Sequence, residues 1–138
     1  MFNIIFKRAL ITALFAFLFD FSFHFFLTRP METLTYFVLK SLIAFFVATA
    51  LFSLDIFAKK TKQINYLIVL FGLISSTLMS VYYRVWELGE AYVPFGSRAP
   101  DIIGIDRHNL FLFSGTWWLG HALFFVLGAL IAIKFVRK

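Results

Sequence analysis

The chain has 138 residues, of which 62% are hydrophobic, 21% aromatic and only 14% charged, and its formal net charge is +6. Soluble domains carry about 25% charged residues, so this composition excludes an ordinary soluble domain with a polar shell around one core. The absence of cysteine excludes disulfides, iron–sulfur clusters, thiolate zinc sites and cysteine nucleophiles.

Four apolar blocks follow one another, at about residues 4–27, 33–57, 64–86 and 110–136. Each exceeds the roughly 20 residues that a helix needs to cross a bilayer, and a helix satisfies its own backbone polar groups in lipid. The first block is longer than the apolar core of a signal peptide, and no small-residue cleavage site follows it. We therefore predict an all-α integral membrane protein with one domain, residues 1–138, built as a polytopic bundle of four transmembrane helices.

The basic residues predict how these helices are threaded. Eight of the 13 lie near the start of the first block, between the second and third, or near and beyond the end of the fourth: Lys7, Arg8, Lys59, Lys60, Lys62, Lys134, Arg137 and Lys138. The positive-inside rule then places both termini in the cytoplasm of a multi-pass protein of the cell membrane, and segment 88–109 becomes a long outer loop. Because this distribution accounts for the positive charge, the predicted partner is the lipid bilayer and no nucleic acid is expected.

Block one contains the stretch FDFSFHFF, in which Asp20 and His24 are four residues apart and share one helix face. Asp20 lies ten residues before Pro30, and Lys40 lies ten residues after it. In an antiparallel hairpin these two side chains reach the same depth. An isolated charge within a spanning helix costs at least about 2.5–3.5 kcal/mol, so we predict an ion pair between Asp20 and Lys40.

Asp55 near the inner end of block two is interpreted as a companion of Lys59, four residues on, without a functional role. Block three carries small residues at helical spacing, Gly72, Ser76 and Ser80, which predict close helix packing. Three larger polar residues follow at its outer end: Tyr83, Arg84 and Glu87.

Block four places Trp117 and His121 on one helix face. Trp117 and Trp118 are typical of an aromatic belt at the membrane interface, which puts His121 one turn below it, near the depth of Asp20 and His24. Gly120 and Gly128 in the same block are eight residues apart, so they do not form a GxxxG motif.

These residues are predicted to converge in the outer half of the bundle, and the favoured hypothesis is an outward-facing pocket for a small or lipid-derived ligand. Asp20, His24 and His121 are the candidate acid–base residues. The candidate ligand-binding residues are Lys40, Tyr83, Arg84, Glu87 and Trp117. Whether such a pocket performs catalysis is left open.

Three alternatives remain. The chain could be a structural or accessory subunit, with a membrane-protein partner or a second copy, whose buried Asp, His and Lys residues serve helix packing alone. A metal could be held by His24, His121, Asp20 and Glu87, although Lys40 would repel a cation there. Haem b could bind between His24 and His121. The sequence alone commits to no metal and to no cofactor.

Overall fold

The computed structural model describes the backbone of residues 1–27, 34–57, 63–82 and 110–137, and the side chains of residues 1–22, 38–57, 63–79 and 118–137. Four α-helices make up almost all of this part of the chain: α1 (Phe2–Leu27), α2 (Leu34–Phe57), α3 (Ile64–Tyr82) and α4 (Leu110–Phe135). No strand occurs among the described residues. The prediction of an all-α protein is confirmed.

The helix bounds follow the apolar blocks closely. Three helices contain stretches long and apolar enough to cross a membrane, namely Phe2–Ser22, Val38–Phe57 and Trp118–Phe135. The apolar stretch of α3 that the structure describes, Ile64–Met79, is shorter than a membrane span. Spans one, two and four of the prediction therefore have matching helices, whereas residues 83–86 of the predicted third span lie outside the described residues.

The four helices pack in a cyclic order, because α1 contacts α2 and α4, and α3 contacts the same two helices. Arg8 reaches Asp55 and Asp20 reaches Lys40, so α1 and α2 are antiparallel. Ser76 reaches Trp118 while Gly72 faces Val126, so α3 and α4 are antiparallel as well. We call the end at which α1 and α3 begin and α2 and α4 end the basal end, and the opposite end the distal end.

Residue size is sorted between the inside and the outside of this helix assembly. The buried apolar side chains of α1, α2 and α4 are mostly alanines: Ala9, Ala13, Ala16, Ala44, Ala48, Ala122, Ala129 and Ala132. Large apolar side chains point outward from every helix, including Leu14, Leu18, Phe46, Leu78 and Leu123. In water the large apolar residues would be buried. Small residues between helices and large ones outside are typical of packing within a bilayer.

Two glycines of α4 allow the closest approach to α1. A Cβ added to Gly128 would lie 2.8 Å from the Cβ of Phe15 and 3.1 Å from the Cα of Thr12. A Cβ added to Gly120 would lie 2.5 Å from Cζ of Phe19, at the tip of its ring. The spacing of eight residues, which does not match GxxxG, thus still marks two points of helix contact.

We expect Gly128→Ala to destabilise the protein more than Gly120→Ala. At Gly128 the added methyl group meets the backbone and Cβ of α1, which can move only if the helices separate. At Gly120 it meets a ring that can rotate away. Thermal unfolding in detergent measures the midpoints of the two variants. Both variants replace glycine by alanine within the same helix, so the effect of the substitution on helix propensity is the same in each. Equal midpoints would show that the α1–α4 distance is not set by Gly128.

Candidate functional site

A buried ion pair joins α1 to α2 in the distal half of the structure. The Nζ atom of Lys40 lies 3.2 Å from Oδ1 of Asp20 and donates a hydrogen bond to it. Both residues are only 1% exposed. The predicted ion pair between Asp20 and Lys40 is confirmed. Because a buried charge is costly without a counter-ion, the pairing lowers the free-energy cost of burying both groups.

His121 of α4 lies at the same level as this ion pair. Its ring makes an edge contact with the ring of Phe19, the neighbour of Asp20, at a centroid distance of 5.9 Å. The side chain is fully buried, and it packs beside the chain neighbour of Asp20 at the depth of the ion pair. Asp20, Lys40 and His121 therefore form one cluster, contributed by three helices, which we call the distal cluster.

The backbone explains why these residues meet. Asp20 comes seven residues before the end of α1, and Lys40 comes six residues after the start of α2, so the antiparallel pairing brings them level. On α4, Gly120 precedes His121 and lets that helix approach Phe19 of α1 closely. Phe19 fills the space beside Gly120 and packs on Phe124, at a centroid distance of 4.9 Å. Small residues on α4 thus make room for one aromatic ring next to the imidazole.

A second buried ion pair lies near the basal end. One terminal nitrogen of Arg8 is 3.1 Å from Oδ2 of Asp55, and both side chains are 3% exposed. The Nε atom of Arg8 donates a hydrogen bond of 2.9 Å to the carbonyl oxygen of Val136, just beyond the end of α4. The guanidinium group also lies over the ring of Phe52, 5.6 Å from its centroid. Arg8 therefore ties α1 to both α2 and α4.

This arrangement differs from the sequence interpretation of the basal end. The sequence places Arg8 among the cytoplasmic charges that flank the first span, but Arg8 lies inside α1 and is buried. Asp55 forms a buried ion pair with Arg8, 47 residues away, which the sequence interpretation does not include. Lys59 lies outside the described residues, so the pairing of Asp55 with Lys59 stays a prediction.

Polar side chains also link α3 to α4. Ser76 donates a hydrogen bond to the carbonyl oxygen of Trp118, and Nε1 of Trp118 donates to Oγ1 of Thr77 at 3.0 Å. Gly72 sits against Val126, where an added Cβ would come within 3.2 Å of that side chain. The prediction that Gly72 and Ser76 serve close packing is confirmed, while the side chain of Ser80 lies outside the described residues.

The remaining predicted site residues cannot be placed in the distal cluster. His24 belongs to α1 and Trp117 to α4, but both side chains lie outside the described residues, as do Tyr83, Arg84 and Glu87. Among the described side chains, no group of three potential metal ligands occurs. The proposed metal and haem sites both depend on His24, so they stay hypotheses.

One open cavity of about 250 Å³ lies between α1 and α2, and it is apolar. We call it the α1–α2 groove, and it is lined by Leu10, Ala13, Leu14, Phe17, Val38, Ser41, Leu42 and Phe45. No member of the distal cluster lines it. It is therefore distinct from the polar pocket that the sequence predicts.

The distal cluster has a definite chemical repertoire. Carboxylate and imidazole groups exchange protons, and an ammonium group binds anionic or carbonyl oxygen atoms. Comparison of this chain with protein-family models, with curated proteins and with solved structures finds no match. The functional argument therefore starts from these three side chains and their burial.

We expect Lys40→Met to destabilise the protein by about 2.5–3.5 kcal/mol, because it leaves the Asp20 carboxylate buried without its cation. The double variant Asp20→Asn/Lys40→Met removes both charges with little change of shape, and it should recover most of this loss. Thermal unfolding of the single and double variants in detergent measures the difference. A double variant as unstable as Lys40→Met would contradict the dependence of each charge on the other.

We also expect Arg8→Lys to lower the unfolding midpoint, although it preserves the charge. A lysine has one compact donor group, so it cannot bind Asp55 and the carbonyl oxygen of Val136 with the fork geometry of a guanidinium. Arg8→Met should be more harmful, since it also removes the positive charge that pairs with Asp55. Lys134→Met is the matched control, because Lys134 is an exposed cation at the same end of the structure. An Arg8→Lys protein as stable as the wild type would show that the contact with α4 is dispensable.

Proposed function

We propose that this chain is a multi-pass protein of the cell membrane, in which four helices span the bilayer with both termini in the cytoplasm. Its distal half then faces outward and carries a site for a small polar or lipid-derived ligand. Asp20, Lys40 and His121 form the inner wall of that site. Proton exchange between the ligand and Asp20 or His121 is the chemistry that these groups would contribute.

The observation that carries this proposal is that three ionisable side chains, from three helices, are buried at one level of the structure. Ionisable residues within spanning helices are costly, and they commonly mark ligand, ion or proton sites. A lone ion pair would satisfy the two charges, as Arg8 and Asp55 do at the basal end. The distal cluster adds an imidazole, the side chain whose ordinary pKa lies closest to neutrality.

Each residue of the distal cluster has its own role in this proposal. Lys40 holds the Asp20 carboxylate in place and supplies a positive charge for an anionic group of the ligand. His121 approaches from α4 and gives or takes the proton. His24, Tyr83, Arg84, Glu87 and Trp117 remain the proposed outer wall, which extends from the cluster toward the outer surface.

A second candidate is an accessory subunit of a larger membrane complex. Its support is that Arg8, Asp20, Lys40, Asp55 and Ser76 each contact another helix, as packing alone would require. In that case the large outward apolar side chains would meet a partner protein as well as lipid. Solubilisation in a mild detergent and mass measurement would reveal a stoichiometric complex.

Replacement of His121 separates the two candidates. We expect His121→Leu to keep or raise the thermal stability in detergent, because an apolar side chain of similar size replaces a buried polar one. The same variant should lose the molecule bound to the wild-type protein. Mass spectrometry of small molecules and lipids released from the purified wild type and variant measures this loss.

The double variant Arg8→Met/Asp55→Asn is the matched control, since it neutralises a buried pair on the same two helices away from His121. It should keep the bound molecule. Identical released molecules from wild type and His121→Leu, together with a lower unfolding midpoint for the variant, would refute the ligand site and favour the accessory subunit.

A further inference from the structure

Lys7 shares a face of α1 with the α1–α2 groove. Lys7, Leu10 and Leu14 are spaced i, i+3 and i+7, so they follow one another along a single side of the helix. Leu10 and Leu14 line the groove, and Lys7 is exposed about one turn nearer the basal end. The exposed ammonium group of Lys7 therefore lies at the basal end of the apolar α1–α2 groove.

The groove has walls suited to hydrocarbon. All of its exposed lining surface is apolar, and it runs from Leu10 to Phe17 on α1 and from Val38 to Phe45 on α2. Seven residues of helix correspond to roughly 10 Å of length. At its basal end, Phe45 meets the ring of Phe6 at a centroid distance of 5.6 Å. Phe6 precedes Lys7 in the chain, so the basal end of the groove lies close to Lys7.

The charges around this mouth have one sign. The exposed charged side chains that the structure describes are Lys7, Lys134 and Arg137. All three lie at the basal end, because the hydrogen bond from Arg8 to Val136 joins the neighbours of Lys7 and Arg137. Asp20 and Asp55, the described carboxylates, are both buried in ion pairs. The basal surface formed by the described residues is therefore positive.

We propose that the α1–α2 groove and Lys7 form a binding site for one anionic phospholipid of the cytoplasmic leaflet. An acyl chain lies along the groove between α1 and α2, and the phosphate of the headgroup binds the ammonium group of Lys7. Lys134 and Arg137 add to the positive field but do not border the groove. The choice of the cytoplasmic leaflet rests on the proposed topology. The site itself is at the opposite end from the distal cluster, and it does not depend on the proposed ligand site there.

Reconstitution into an equimolar mixture of phosphatidylglycerol and phosphatidylcholine with identical acyl chains, followed by native mass spectrometry, tests the proposal. We expect the wild type to retain phosphatidylglycerol over phosphatidylcholine by about fivefold, the effect of one lysine near an anionic lipid surface. Lys7→Gln should abolish this preference. Lys134→Gln, an exposed lysine at the same end, should leave most of it intact.

A second pair of variants tests the groove. Ser41→Phe fills the groove from α2 and should reduce retention of both lipids, whereas Ser53→Phe makes the same change on the same helix away from the groove. If Ser41→Phe does not fold, the comparison of the headgroup preference of Lys7→Gln with that of Lys134→Gln is sufficient to test the proposal. Equal effects of those two variants, no headgroup preference in the wild type, or displacement of the lipid by inorganic phosphate would overturn the proposal.

Discussion

The pairing of opposite charges across α1 and α2 is the constraint on which the rest of the structure depends. Arg8 and Asp55 meet near one end, and Asp20 and Lys40 meet about 18 Å further along α1. Counted from the basal end, α1 presents a cation and then an anion, whereas the antiparallel α2 presents an anion and then a cation. Sliding or rotating one helix would therefore separate both ion pairs at once. Apolar packing of alanines alone offers many nearly equal alignments. The ion pairs select one of them, and that alignment brings α4 and His121 against Phe19.

The distribution of side-chain size complements the distribution of charge. Alanine and glycine between the helices allow short distances, which hydrogen bonds such as Ser76 to Trp118 need. Large side chains outside interact equally well with lipid in many conformations, so they contribute little to specificity. The polar groups therefore determine which helices pair, while the small residues determine how closely they approach. The distal cluster is possible because an ion pair between helices and a small residue that allows close approach occur at the same level of the structure.

The sequence predicts the distal ion pair because Asp20 and Lys40 are each ten residues from Pro30, so an antiparallel arrangement of the first two blocks brings them level. The same count pairs Arg8 with residue 52, about one helical turn before Asp55, so it brings Arg8 and Asp55 close in depth without singling them out. Lys7 and Arg8 together resemble an ordinary positive flank, which gives no sign that Arg8 is buried. Two consecutive helical residues point about 100° apart, so one of them can be buried while the other is exposed. The close contact at Gly128 cannot be predicted from α4 alone, because it depends on Thr12 and Phe15 of α1.

The hydrogen bond between Arg8 and Val136 has a consequence for biosynthesis. Its two partners are separated by 128 residues, so the guanidinium group leaves the ribosome long before its carbonyl acceptor exists. During that interval Asp55, which is synthesised earlier than Val136, can already pair with Arg8. Packing of α1 against α2 can then compensate the charge of Arg8 without α4. The hydrogen bond to Val136 then forms only after the last turn of α4 has packed against α1.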